Sequence, residues 1–170
     1  DIVKPRISKH MAKITDLGVL KQLINQIYNY NGNHNIKNAL KLVLHIPLRA
    51  ENLCNLKWNQ INFEKKILTI PRENMKLSNI NLDDFVMPLT DEVIKILKEH
   101  KDMQLFSINA KEYVFLGFNN RQAINKESQN RALFRLGFND EKKGTKIRLH
   151  GFRGTFRSLI DTLDTKNRFS

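Results

Sequence analysis

The chain has 170 residues, and its 29 Lys and Arg against 17 Asp and Glu leave a formal net charge of +12. With 41% hydrophobic residues the chain can bury a core, so the composition excludes a wholly disordered protein. A membrane protein is excluded as well, because the longest apolar stretch, residues 40–48, falls far short of the roughly 20 residues that a bilayer span needs.

Helical periodicity dominates the N-terminal part of the sequence. Asp16 is the predicted N-cap of a first helix, whose apolar residues recur at helical spacing as far as Ile27 and which stops in the Asn- and Gly-rich residues 29–33. The spacing predicts a second helix over residues 35–45, which Pro47 interrupts because proline cannot continue a helix. A short third helix is predicted over residues 51–56.

The middle of the sequence changes to short β-type runs. They cover residues 67–70, 75–77 and 84–87, and the last run is followed by Pro88. Three such short runs close together predict a small three-stranded antiparallel sheet.

The C-terminal half returns to helical spacing. Thr90 is the predicted N-cap of a helix that begins at Asp91 and ends near His100, and two further helices are predicted over residues 126–136 and from about residue 150 onward. Residues 113–116 are predicted to be extended. The fold class is therefore mainly α with one small antiparallel three-stranded β-sheet, a pattern that argues against a Rossmann or barrel enzyme.

The surplus of positive charge favours a polyanionic partner, with DNA or RNA ahead of an anionic membrane surface. Membrane binding is the weaker interpretation, because the basic residues are spread along the chain instead of lining one helix face. The single cysteine, Cys54, cannot form an internal disulfide and has no zinc-ligand pattern around it, which favours a reducing, cytoplasmic compartment. No metal site or cofactor is expected.

The sequence lacks a P-loop, a dinucleotide-binding glycine turn and a zinc-hydrolase His-Glu-x-x-His pair. Against that background, Arg49 follows a helix break, and His150 and Arg153 are three residues apart at the start of the last helix, on one face of a turn. Two guanidinium groups can hold both non-bridging oxygens of a phosphodiester, a histidine can transfer a proton, and Lys76 could protonate a leaving oxygen. Each residue alone is more often structural, and Arg49 could simply pair with Glu51.

The order of these residues gives the chain a resemblance to the tyrosine recombinases, and more narrowly to the catalytic domain of phage and prophage integrases. The matching segments are His-Ile-Pro-Leu-Arg-Ala-Glu-Asn-Leu at 45–53, Met-Lys at 75–76, Met-Pro-Leu-Thr at 87–90, Tyr-Val-Phe at 113–115 and His-Gly-Phe-Arg at 150–153. The first segment departs from the Thr-Gly pair that is usual in the family before the arginine. The resemblance covers nearly the whole chain in the right order.

The resemblance implies roles for individual residues. Arg49 and Arg153 would clamp the scissile phosphate, Lys76 would be the general acid, His150 would handle a proton or bond the phosphate, and Glu51 would support Arg49. The implied partner is double-stranded DNA, with self-association on DNA in the intact protein and no membrane. In the basic loop and in a neighbouring lysine pair, the candidate DNA contacts are Lys65, Lys66, Lys142, Lys143, Lys146 and Arg148.

The family's nucleophilic tyrosine follows the last of these motifs, whereas Tyr28, Tyr30 and Tyr113 all precede it. We therefore expect a fragment: residues 1–15 as a tether from an absent N-terminal DNA-binding domain, and residues 16–170 as a catalytic domain without its C-terminal end. Such a fragment would bind DNA without cleaving it. The alternatives are a non-catalytic DNA-binding or decoy module and, less favoured because no RNA-binding motif is present, an RNA-binding domain.

Overall fold

The computed structural model describes residues 12–75, 82–104 and 112–168, with side chains described as far as residue 162. Six α-helices and three β-strands lie within these ranges. They are α1 (Leu17–Tyr28), α2 (His34–His45), α3 (Ala50–Cys54), β1 (Ile61–Asn62), β2 (Ile67–Ile70), β3 (Phe85–Pro88), α4 (Asp91–Gln104), α5 (Lys126–Arg135) and α6 (Gly151–Arg168). The predicted fold class, mainly α with a small antiparallel sheet, is confirmed.

The helix starts follow local capping chemistry. The Asp16 carboxylate accepts a hydrogen bond from the Val19 amide at 2.8 Å, and the Thr90 hydroxyl accepts one from the Val93 amide at 3.4 Å. Both side chains satisfy amide groups that would otherwise lack a partner within the helix. The predicted caps at Asp16 and Thr90 are therefore confirmed, although α4 continues one turn beyond His100.

The sheet has the strand order β1-β2-β3, and both strand pairs are antiparallel. The prediction of a strand over residues 75–77 is wrong at Met75, which directly follows the 3-10 turn Arg72–Asn74; residues 76 and 77 lie outside the described ranges. The outer strand is instead β1, whose two residues are too few to show an alternating pattern. Pro88 ends β3 at the other edge, where the missing amide hydrogen costs no ladder bond.

Helix α2 lies at the centre of the core and packs against α1, α4 and α5. Its residues Ala39, Leu40, Leu42 and Val43 are fully buried. The predicted extended segment at residues 113–116 forms isolated bridges, Lys57 with Tyr113 and Leu116 with Ala123, instead of a strand. Its central residues are also fully buried, so this segment closes the core beside α4.

A polar network is buried between α2, α4 and this segment. The His100 imidazole accepts a hydrogen bond from the Asn38 amide on Nδ1 at 2.9 Å and donates from Nε2 to the Val114 carbonyl at 2.7 Å. The Gln104 side chain accepts from the Trp58 indole at 3.1 Å, and the Asn35 side chain accepts from the Leu116 amide at 2.9 Å. One acceptor and one donor on the His100 ring define a neutral imidazole.

Candidate active site

Arg49 stands at the junction between α2 and α3. After α2 ends, the chain is extended through Ile46, and the flanking residues Leu48 and Ala50 are only 3% and 1% exposed. The Arg49 carbonyl accepts a hydrogen bond from the Leu53 amide at 2.9 Å, so its backbone begins α3. With both neighbours held in the core, the half-buried Arg49 has its backbone position fixed.

His150 and Arg153 stand at the start of α6. The preceding loop is held by Leu149, which is buried and whose amide donates to the Asn130 side chain of α5 at 3.0 Å. Both His150 and Arg153 are exposed, while Phe152 between them is 3% exposed. Amide groups at a helix N-terminus carry a partial positive charge, so an anion beside this turn is favoured electrostatically.

The two arginines, far apart in the sequence, lie close enough to interact electrostatically. Partial burial, and then the positive charge of Arg49, lower the pKa of the Arg153 guanidinium. Within the described ranges, no carboxylate oxygen lies within 4 Å of a nitrogen of either side chain, so Arg49 does not form the alternative pair with Glu51. Two guanidinium groups that no described carboxylate neutralises are well suited to binding an anion.

Glu51 and Lys76 are the other two residues predicted for this site. Glu51 is exposed on α3 and lines a cavity with Asn52, Asn55 and Tyr113, but it makes no ion pair with Arg49. Lys76 lies outside the described residues. The sequence analysis missed Asn130, which holds the loop before His150; a lone asparagine on a helix has no pattern that would single it out.

The candidate DNA contacts divide into two groups. Lys66 is paired with Asp91, Lys146 with Glu141 at 2.8 Å and Lys143 with Asp140 at 3.8 Å. These lysines would have to exchange a carboxylate for a phosphate. In contrast, Lys65, Lys142 and Arg148 are exposed and have no ion pair with a carboxylate of the described part of the chain, so they are the stronger candidates.

The remaining nucleophilic side chains have structural contacts. Burial raises the pKa of the Cys54 thiol to about 12, which keeps it protonated. The Tyr28 hydroxyl bonds the His45 Nε2 at 2.9 Å, and the Tyr113 ring faces the Lys57 ammonium at 5.4 Å. Tyr30 is half-buried and packs against the core. Each of the three tyrosines therefore has a structural contact in the folded chain.

Neither a membrane-spanning helix nor a metal-binding group of side chains is found in the described residues. None of the helices in the described ranges is long and apolar enough to cross a membrane. Across the same ranges, no three His, Cys, Asp or Glu side chains are grouped in a way that could hold a metal ion.

The fold is that of the recombinases whose structures have been solved. The XerA recombinase superposes on the chain with a TM-score of 0.63 at 20% identity, covering 91% of this chain and 51% of that one. The Tn1549 transposon integrase in complex with transposon right end DNA gives a TM-score of 0.62 at 14% identity, covering 88% of this chain and 53% of that one. The chain therefore shares the fold of these recombinases over about half of their length.

Sequence comparison narrows this class. Residues 15–160 match the model of the phage integrase family, and the chain therefore belongs to that family. Its relatives include the integrase of Shigella phage Sf6, 27% identical over 124 residues, and the prophage integrase IntS of Escherichia coli (strain K12), 26% identical over 124 residues. Each alignment covers 72% of this chain and 29% of the relative, so the chain spans less than a third of those proteins.

Proposed function

We propose that this chain is the DNA-binding catalytic region of a site-specific tyrosine recombinase. In intact form such an integrase would cut and rejoin double-stranded DNA through a 3′-phosphotyrosyl bond during integration or excision of a mobile element such as a prophage. The observation that carries the proposal is that Arg49 acts electrostatically on Arg153 while neither arginine has an ion pair with a carboxylate of the described residues. In a member of the phage integrase family, two guanidinium groups that no carboxylate of the described residues pairs with are best explained by a phosphate that neutralises them.

The chemistry follows from the donors at this site. Each guanidinium can donate two parallel hydrogen bonds to non-bridging oxygens, and together they would stabilise the additional negative charge of a pentavalent phosphorus in the transition state. His150, beside Arg153, would donate a hydrogen bond to the same phosphate or transfer a proton. Lys76 would protonate the 5′ oxygen that leaves.

In this proposal the nucleophile is a tyrosine outside these 170 residues. Tyr28 and Tyr113 have the structural contacts described above, and Tyr30 packs against the core. The nucleophile would come from a longer polypeptide that contains these residues, either in the same molecule or in a second molecule bound to the same DNA. Recombination between two DNA sites would itself require more than one copy. Such a reaction takes place where a bacterium keeps its DNA, in the cytoplasm.

The phosphate clamp is testable by DNA binding. We expect Arg49→Ala combined with Arg153→Ala to weaken binding of a fluorescently labelled duplex by about tenfold or more at low salt, because both guanidinium groups that hold one phosphate are lost. The same loss should make the negative slope of log K against log [salt] shallower by about 1. Anisotropy titrations over a range of about 50–200 mM salt, in which phosphate contacts weaken, measure the affinity and its salt dependence.

The matched control is Lys98→Ala, which removes an exposed positive charge from α4. It should change the affinity much less than the loss of either arginine. Thermal unfolding of the double variant should stay close to that of the parent chain, since neither arginine makes an ion pair with a described residue. Equal affinities for the parent and the double variant, at low and at high salt, would rule out the clamp.

A further inference from the structure

Residues 12–14 run along the first two turns of α6. The Ile14 amide donates a buried hydrogen bond to the Thr155 hydroxyl at 3.0 Å, and the Lys13 ammonium donates to the Ser158 hydroxyl at 2.7 Å. Ile14 itself is fully buried. The beginning of the described chain is therefore fastened to the helix that carries Arg153.

The closest approach in this contact is at Gly151. A Cβ added there would lie 2.3 Å from the Ala12 carbonyl oxygen, a backbone atom that cannot rotate away. At Gly154, one turn along, a Cβ would meet only the Lys13 side chain at 3.5 Å, which is ordinary contact. Hence the glycine in His-Gly-Phe-Arg has no room for a side chain, because the backbones of α6 and of residues 12–14 pack directly against each other.

The residues of α6 that contact residues 12–14 and the proposed phosphate-binding residue Arg153 all lie in the first two turns of this helix. Gly151, Thr155 and Ser158 are spaced by four and three residues, so they form one face of α6. Arg153 lies two residues after Gly151 and therefore on the opposite, exposed side of α6, next to His150 at the start of the helix. Any shift or rotation of α6 relative to residues 12–14 would therefore carry Arg153 with it.

The packing of residues 12–14 against α6 also bears on the position of Arg153 relative to Arg49. The positive charge of Arg49 acts on the Arg153 guanidinium, so the position of α6 relative to the core decides where these two charges stand relative to each other. The buried neighbours of Arg49 in the chain fix its backbone position. The start of α6 is held by Asn130 on one side and by residues 12–14 on the other.

We propose that residues 12–14, through Gly151 and Thr155, position α6 so that Arg153 meets the phosphate opposite Arg49. Gly151 and Thr155 are thus positioning residues and do not touch DNA themselves. This inference rests on the proposed function, because it assumes that Arg153 contacts the DNA phosphate.

A double-mutant cycle separates positioning from a merely structural role. Gly151→Ala and Thr155→Val are each made in the parent chain and in an Arg153→Ala chain, and binding of the same labelled duplex is measured. With Arg153 present we expect each substitution to weaken binding about fivefold, and with Ala at position 153 less than about twofold, since no guanidinium is left to misplace. Thr155→Ser, which keeps the hydroxyl, and Gly154→Ala should bind like the parent.

The outcomes are distinct. Equal losses with and without Arg153, or no loss from either substitution, overturn the positioning inference. If Arg153→Ala alone leaves binding unchanged, the proposed function fails and the inference fails with it. If Gly151→Ala does not fold, as judged by circular dichroism, Thr155→Val decides the question, because it retains the size of the side chain and removes only the hydrogen bond to Ile14.

Discussion

Arg153→Ala should slow the formation of a covalent protein–DNA adduct by about 10²- to 10³-fold in a protein that continues past Ser170 to a tyrosine. Removing one preorganised donor from a transition-state charge typically has an effect of this size. The loss in DNA affinity should be smaller, about tenfold, because the ground-state phosphate has less negative charge to stabilise than the pentavalent transition state. The measurement uses suicide DNA substrates, which trap the adduct, at saturating protein concentration so that only the chemical step is compared.

Two further variants sharpen this test. Arg153→Lys keeps the positive charge but loses the two-pronged guanidinium geometry, so its rate should lie between those of Ala and the parent. Lys98→Ala, on the exposed face of α4, should react at the parent rate. If the unsubstituted longer protein is folded and binds DNA but forms no adduct, the recombinase proposal fails and the non-catalytic DNA-binding alternative replaces it.

The buried imidazole of His100 should make the folded state sensitive to acid. Burial lowers the pKa of His100 from 6.5 to about 4. Between these two values the unfolded chain binds a proton that the folded chain does not, so the free energy of unfolding falls as the pH drops from about 6.5 to about 4. The loss attributable to this one group is on the order of 3 kcal/mol, since each unit of pKa difference corresponds to about 1.4 kcal/mol.

Urea unfolding at a series of pH values measures this effect. His100→Gln should be less stable at neutral pH, but its stability should depend less on pH than that of the parent, because Gln can bond Asn38 and Val114 without titrating. His150→Gln is the matched control: it removes an exposed histidine outside the network and should retain the parent's pH dependence. An identical pH dependence in the His100 variant and the parent would show that His100 is not the titrating group.

Most of the helices could be predicted from the sequence because the signals are local. Asp16 and Thr90 cap helices with bonds to amides three residues away, and the apolar spacing of α2 lies within one segment. Strand β1 could not be predicted, because a two-residue strand is defined only by its partner β2. The same limit applies to residues 113–116, which are extended but pair through single bridges.

The candidate site could be predicted only as an ordered set of residue types. That ordering placed Arg49 and Arg153 together in the hypothesis, and in the folded chain the positive charge of Arg49 contributes to lowering the pKa of the Arg153 guanidinium. The sequence could not predict which other charged groups lie beside each basic side chain. The pairing of Lys66 with Asp91 and of Lys146 with Glu141 depends on which loops meet in three dimensions, and so does the absence of a described carboxylate beside the arginines. The catalytic roles themselves stay predictions.

The hydrogen bond from Ile14 to Thr155 has a consequence for the synthesis of the protein. It closes a loop between residues 141 positions apart, and Ile14 is a fully buried member of the core. At a synthesis rate of about 5–20 residues per second, the partner of Ile14 is made roughly 7–28 s after Ile14 itself. During this interval the apolar face that Ile14 will cover stays open to water. A nascent chain is therefore exposed to proteolysis and aggregation until the start of α6 has been made, and the native core around Ile14 forms only after residue 155 has been synthesised.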